Sequence, residues 1–104
     1  MTINNNAMNL ANQVLQDLKN CNESLYQFAK NAPSEISRTY YLLGFVHGRD
    51  YTKEECELSL TTRNDIEAKN EFTLEDAKFL KSHNGNNPKI IYWNNLIKEL
   101  ENKQ

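Results

Sequence analysis

Seven small or apolar residues in the first third of the chain fall on one face of a helix. The spacing between them alternates between four and three residues, through Ala7, Ala11, Val14, Leu18, Cys21, Leu25 and Phe28. Because an α-helix completes a turn about every 3.6 residues, this heptad spacing produces a narrow apolar stripe that must pack against other helices. The pattern predicts one long amphipathic helix over residues 7–29.

Size and composition limit what that helix can pack into. The chain has 104 residues, and 38% of them are hydrophobic. A chain of this size forms a small core, and a deep substrate cavity would compete for the same apolar side chains. We therefore expect an all-α fold, a compact bundle of four to five helices in a single domain over 1–104, with the Asn-rich residues 1–6 as a disordered N-terminal tail.

A second helix is predicted after the break at Pro33. Ser34 is a favourable N-cap, and Gly48 is a favourable residue for the C-terminal cap. Adjacent helix positions diverge by about 100°, so only one of Tyr40 and Tyr41 is expected to lie fully in the core. Gly44 inside the helix predicts the close approach of a neighbouring backbone.

The chain after this helix gives a weaker pattern. Thr52 and Glu55 have the spacing of a capping box, which predicts the start of a third helix. Apolar and polar residues then alternate over 56–60, which also suits a short strand. Residues 61–71 have few apolar anchors, and we expect a frayed helix or a loop there.

Two further helices are predicted near the C-terminus. Thr73 and Asp76 repeat the capping pattern, the pair Asn84-Gly85 suits a helix exit, and Asn87 with Pro88 suits the start of the last helix. Two helices joined by a Gly-containing turn also suit a helix-turn-helix regulator that binds nucleic acid. A pI near 5.7 argues against that alternative, because a recognition helix normally brings several basic residues to the phosphates.

The sequence also indicates a compartment. The N-terminus has no basic and apolar run of the kind found in secretory signals, and no apolar stretch approaches the length of a membrane span. The two cysteines, Cys21 and Cys56, lie within predicted helical segments, whereas a secreted fold of this size is more often built on bridged cysteine pairs. We expect a soluble protein in the reducing cytoplasm.

Charge is unevenly distributed along the chain. Residues 50–76 contain nine acidic and three basic residues, a net charge of −6, whereas the remainder has a net charge of +4. One interpretation is a solvated surface with carboxylates placed at helix N-termini. The other is a negative patch that binds a basic partner, aided by the anchors Arg49 and Tyr51. The predicted partner-binding residues are Arg49, Asp50, Tyr51, Glu54, Glu55, Glu57, Asp65 and Glu67.

No motif for catalysis, cofactor binding or metal binding is apparent. Glu54 and Glu55 point to different faces of a helix and cannot form an acid–base pair by spacing alone. The only histidines, His47 and His83, alternate with the two cysteines at separations of 26, 9 and 27 residues, without the paired spacing of zinc ligands. We therefore expect no enzymatic activity, no cofactor and no metal.

A function follows from these features as a hypothesis. The Tyr40-Tyr41 pair near an acidic helix resembles, in character, the helical immunity proteins of nuclease colicins, although no proline follows the tyrosines. That resemblance implies a non-enzymatic inhibitor, immunity protein or antitoxin, of bacterial or phage origin, that neutralises a basic nucleic-acid-handling protein. Heptad spacing can also be satisfied between chains, so both a monomer and a homodimer remain open.

The expected absence of a structural metal can be tested by chelation. Metal that is required for folding contributes directly to the free energy of unfolding, so its removal lowers the thermal midpoint. We expect the midpoint of the purified protein to be the same with and without EDTA. A midpoint that falls with EDTA and recovers with zinc would direct attention to His47, His83, Cys21 and Cys56.

Overall fold

Short polar residues set where the helices of this chain begin. The computed structural model describes residues 3–46, 50–82 and 90–103, and within these ranges the chain forms six helices and no strand. The helices are α1 (Asn5–Cys21), α2 (Glu23–Lys30), α3 (Glu35–Leu43), α4 (Lys53–Lys69), α5 (Leu74–Lys81) and α6 (Ile90–Asn102). The all-α class is confirmed, and the described ranges hold one more helix than the upper limit of the predicted four to five.

The predicted single helix over 7–29 is wrong, because Asn22 divides it. The backbone N–H of Asn22 donates to the carbonyl of Leu18 and ends α1, while its side-chain oxygen accepts from the N–H of Leu25 and begins α2. Asn competes in this way for backbone groups that would otherwise continue a helix. The apolar stripe is consequently broken after Leu18, and Cys21 is exposed.

Residues 3–6 are ordered, although the sequence predicts a disordered tail there. The side chain of Asn4 accepts a hydrogen bond from the N–H of Asn6 at 2.7 Å, which caps α1, and the helix begins at Asn5. Ile3 is buried in the core. A disordered tail over residues 1–6 is therefore incorrect for residues 3–6, because a capping side chain and one apolar anchor order them.

Helix α3 is the central element of the fold, and it packs against α1, α2, α4 and α5. Ser34 caps its N-terminus as predicted. Both Tyr40 and Tyr41 are buried, with 2% and 5% of their surface exposed, so the expectation that only one lies in the core is wrong. Helices cover α3 on more than one side, and two diverging side chains can therefore both be enclosed.

Each tyrosine belongs to its own group of aromatic rings. The ring of Tyr40 meets Phe72 and Trp93 edge to face, with centroids 5.5 and 5.8 Å away. The ring of Tyr41 contacts Phe28, Phe45 and Phe79, with centroids 5.1, 5.1 and 5.6 Å away. The rings around Tyr41 come from α2, from α5 and from the residues just after α3. These contacts hold α2 and α5 against the same helix.

Helix α3 ends earlier than predicted, at Leu43, with Gly44 as its C-cap. Gly48, the predicted cap, lies outside the described residues. A Cβ atom on Gly44 would lie 3.6 Å from the guanidinium carbon of Arg63 and 3.2 Å from the carbonyl oxygen of Tyr41. The predicted neighbouring backbone is thus replaced by a side chain of α4.

Helix α4 runs without interruption from Lys53 to Lys69, so the alternative of a short strand over 56–60 is wrong, and the expected frayed helix or loop over 61–71 is continuous helix as far as Lys69. The capping box of Thr52 and Glu55 is confirmed at its start. Its buried residues are Ser59, Thr62 and Ile66. Two of these three are small and polar, so a search for apolar periodicity does not detect this helix.

The N-termini of α3 and α5 are joined by a buried carboxylate. Asp76 completes the predicted capping box with Thr73, and its other oxygen accepts a hydrogen bond of 2.8 Å from the hydroxyl of Ser34. Only 1% of Asp76 is exposed. Helix α5 ends at Lys81, and α6 packs on it through buried Trp93 and Leu96. The predicted turns at Asn84-Gly85 and Asn87-Pro88 lie outside the described residues.

Replacing Asp76 with Ala should destabilise the protein by about 2–4 kcal/mol, because the N–H of Thr73 and the hydroxyl of Ser34 both lose an ionised acceptor. Chemical denaturation with a circular dichroism readout measures the effect. Glu75→Ala is the matched control, since Glu75 is the exposed neighbour in the same helical turn and should cost less than about 0.5 kcal/mol. Equal losses for the two variants would contradict this role for Asp76.

Candidate protein-interaction surface

The structure separates the predicted partner-binding residues into three groups by exposure. Asp50, Glu54, Glu57 and Asp65 are exposed. Tyr51, Glu55 and Glu67 are partly buried, and each makes a hydrogen bond within the chain. Arg49 lies outside the described residues. The predicted residues therefore do not form one uniform negative patch.

Glu55 has a structural role at the start of α4. Its carboxylate accepts a hydrogen bond of 2.8 Å from the backbone N–H of Thr52, and the hydroxyl of Thr52 accepts from the N–H of Glu55. This reciprocal arrangement holds the carboxylate against the first turn, where the helix dipole also favours negative charge. Glu55 is thus committed to the fold.

Glu67 is also committed, through a contact with the buried aromatic group. The hydroxyl of Tyr40 donates a hydrogen bond to its carboxylate. The guanidinium of Arg63 lies 4.5 Å from the centre of the Tyr40 ring, close enough for a cation–π interaction. Burial is the main cause that raises the pKa of Tyr40 well above its ordinary value, and the hydrogen bond to Glu67 is the second. Glu67 therefore anchors Tyr40 in the core.

The remaining acidic residues of α4 project into solvent. Helical geometry places Glu54 and Asp65 within about 20° of each other around the axis and about 17 Å apart along it, with Glu57 about 70° to one side. Asp65 is 3.5 Å from Lys69, in a pair whose side chains are each about half exposed, and such a pair contributes little stability. Glu54 also lies in the first turn, where the helix dipole favours its charge, whereas Glu57 makes no ion pair within the described residues.

An exposed leucine lies at the edge of this charged face. Leu60 has 59% of its surface exposed. Its neighbours along the chain, Ser59 and Thr62, are buried on the core side of the helix. On the helix wheel Leu60 lies about 60° from Glu57. We define the α4 face as Glu54, Glu57, Leu60 and Asp65: an exposed arc of about 140°, with Leu60 at one edge next to Glu57 and with Glu54 and Asp65 toward the other.

A groove lies next to the N-terminal end of α4. It has a volume of about 550 Å³ and is formed between α1 and the residues that precede α4. The hydroxyl of Tyr51 donates a hydrogen bond of 2.7 Å to Oδ2 of Asp17, across 34 residues of sequence. The residues that line the groove are Gln13, Val14, Asp17, Leu18, Asn20, Cys21, Phe45, Asp50 and Tyr51.

Asp17 is the member of this site that sequence reasoning missed. Asp50 and Tyr51 were predicted, but nothing near Asp17 in sequence distinguishes it from other polar residues of α1. Burial raises the pKa of Tyr51, as do the hydrogen bond to Asp17 and the negative charges of Asp17, Asp50 and Glu55. The groove is thus negatively charged around a neutral phenol.

The described residues contain no cluster typical of a metal centre. Within 3–46, 50–82 and 90–103, no group of three or more His, Cys, Asp or Glu side chains is placed to hold a metal ion. His47 and His83 lie outside these ranges. Of the two adjacent carboxylates Glu54 and Glu55, one projects into solvent and the other caps α4, so they do not face a common site.

The helices of the nucleic-acid-binding alternative are present, but their charge does not favour it. Helix α6 carries Lys98 together with the acidic Glu99 and Glu101. A helix that enters a groove of DNA normally presents an excess of basic residues to the phosphates. The turn between α5 and α6 lies outside the described residues.

Comparison of the chain with protein-family models, with curated proteins and with solved structures finds no match. In the part of the chain that the structure describes, no helix has both the length and the apolar character needed to cross a membrane. The interpretation of the surface therefore depends on its own chemistry.

The buried tyrosines predict how stability changes at high pH. Burial raises the pKa of Tyr41 to about 12, and it raises the pKa values of Tyr40, Tyr51 and Tyr92 as well. In the unfolded chain these phenols ionise near pH 10, so above that pH the folded state holds more protons than the unfolded state. The free energy of unfolding should therefore be intact below about pH 10 and decrease between about pH 10 and 12.

Denaturant titrations at several alkaline pH values measure this decrease, and the absorbance of tyrosinate reports the ionisation directly. The Tyr41→Phe variant removes one of the responsible groups and should show a shallower decrease. A slope that is the same in both proteins would show that Tyr41 does not contribute.

Proposed function

We propose that this chain is a non-enzymatic protein-binding module, an inhibitor or immunity-type protein, that binds and neutralises a basic nucleic-acid-handling protein through the α4 face. The observation that carries this proposal is the exposure of Leu60 next to Glu57, on a helix whose exposed side also carries Glu54 and Asp65. Protein interfaces combine an apolar anchor with surrounding polar groups in this way. A convex helical face of this kind suits a macromolecule better than a small substrate.

Charge supports a basic partner. The chain carries a net charge of −6 over residues 50–76, and several of these carboxylates are exposed and unused by the fold. Segregated negative charge steers a positively charged protein toward one face and accelerates the encounter. The effect extends over a screening length of about 8 Å at physiological ionic strength, so binding should weaken as salt is added.

The structure of α4 explains why a binding role suits this helix. Its hydrophobic contacts with the core come from Ile66 and from the partly buried Cys56 and Leu58, all away from Glu54, Glu57 and Asp65. Its capping box and the contacts of Arg63 and Glu67 also hold it in place. The outward residues can therefore vary with the partner without loss of the fold.

The same proposal includes a cytoplasmic location and a bacterial or phage origin. Cys21 and Cys56 are thiols and are not joined in a disulfide, which suits a reducing compartment. The abundance of Asn, Lys and Ile suits an AT-rich genome. A small inhibitor of a nucleic-acid-handling enzyme would meet its target in that compartment.

Charge reversal on α4 tests the proposal. The Glu57→Lys and Asp65→Lys double variant should fold normally, because both side chains are exposed, and should bind the partner at least about tenfold more weakly. The immobilised protein is used to capture the partner from an extract of the source organism, and the affinity of the purified pair is then measured at two salt concentrations. Glu54 and Glu55 are left unchanged because they lie in the first turn of α4.

The matched control is Glu99→Lys with Glu101→Lys, which makes the same change in net charge on the exposed side of α6. We expect this control to bind with nearly unchanged affinity. Leu60→Ala should also weaken binding without lowering the thermal midpoint. If α4 and α6 variants bind alike, the α4 face is not the interface.

A further inference from the structure

The groove between α1 and the start of α4 has the composition of a site for a basic side chain. The partly buried rings of Phe45 and Tyr51 supply apolar surface, Val14 and Leu18 line the groove but are themselves almost fully buried, and Asp17 and Asp50 supply carboxylates. An arginine or lysine side chain has the same two parts, an apolar stem and a charged end. The groove is shallow and open to solvent, with a volume of about 550 Å³.

The hydrogen bond within the groove prepares one carboxylate for such a ligand. Tyr51 donates to Oδ2 of Asp17, which holds the side chain in position and leaves Oδ1 as an acceptor. Asp50 is exposed at the same groove, next to Tyr51 in sequence. Two carboxylates at one groove can share a guanidinium, which offers five N–H donors in a planar fork.

Aromatic rings favour arginine over lysine. Tyr51 and Phe45 both line the groove, and the planar guanidinium stacks on aromatic faces and is less strongly hydrated than an ammonium group. We propose that this groove receives an arginine side chain presented by the basic protein partner. The inference rests on the proposed function, and it adds a specific contact at the N-terminal end of the α4 face.

Binding of a short peptide tests this inference without the partner. The probe is the tripeptide Gly-Arg-Gly, blocked at both ends, which is titrated into the isotope-labelled full chain and followed by nuclear magnetic resonance. We expect saturable shifts at Val14, Leu18 and Tyr51, with an affinity in the millimolar range of about 1 mM. The same peptide with citrulline in place of arginine keeps the shape and removes the charge, and should bind at least about tenfold more weakly.

Variants then assign the charge requirement to the groove. Asp17→Asn with Asp50→Asn should lower the affinity for the arginine peptide by about tenfold or more. Asp50→Asn alone should also lower the affinity for the arginine peptide. Because Asp50 is exposed, this single variant should fold normally and provides a test even if the double variant unfolds. Glu57→Gln with Asp65→Asn removes two carboxylates from the α4 face and should leave peptide binding within about twofold.

The inference is overturned if arginine and citrulline peptides bind equally, or if the shifts of groove residues do not saturate. Failure of the groove and failure of the α4 face are distinguishable. If charge reversal on α4 abolishes capture of the partner but the peptide does not bind, the inference about the groove is wrong and the proposed function is supported. If the peptide binds but charge reversal on α4 does not change capture, the α4 face is not the interface and the inference about the groove is supported.

Discussion

The enclosure of two adjacent tyrosines on α3 is the constraint on which the other helices depend. Tyr40 and Tyr41 leave the helix in directions about 100° apart, yet both are almost completely buried. Burying both requires neighbours on two sides of α3. The rings of Phe72 and Trp93 cover one tyrosine, and those of Phe28, Phe45 and Phe79 cover the other. The aromatic rings around α3 thus add large contact areas to a core whose other buried residues are mostly aliphatic.

Local capping signals could be predicted from the sequence, whereas helix continuity could not. Ser34, Thr52 and Thr73 cap the helices that their spacing indicates, because a capping box depends only on residues three positions apart. The stripe over residues 7–29 failed at Asn22, where a side chain serves two helices at once. The start of α4 was predicted from Thr52, but its continuation was not, since its buried face is largely polar and gives no apolar period.

In the candidate site too, local residues could be predicted from the sequence, whereas contacts made by the tertiary fold could not. Sequence reasoning located Asp50 and Tyr51 but could not find Asp17, because the tertiary fold alone brings α1 beside them. It also treated Glu55 and Glu67 as members of a binding patch. The structure instead shows that Glu55 caps a helix and that Glu67 holds a buried phenol. Charge counts along a sequence do not reveal which carboxylates are already engaged.

The junction at Asn22 has a consequence for how the fold can vary. Because α1 and α2 meet at a single residue without a connecting loop, the direction of α2 is fixed by the dihedral angles of that residue, φ −152° and ψ 89°. One inserted residue would add a further pair of dihedral angles to that junction, change the direction of α2 and carry Phe28 away from Tyr41. A change of length here therefore disturbs the whole aromatic group, whereas a substitution at an outward position of α4 alters one side chain.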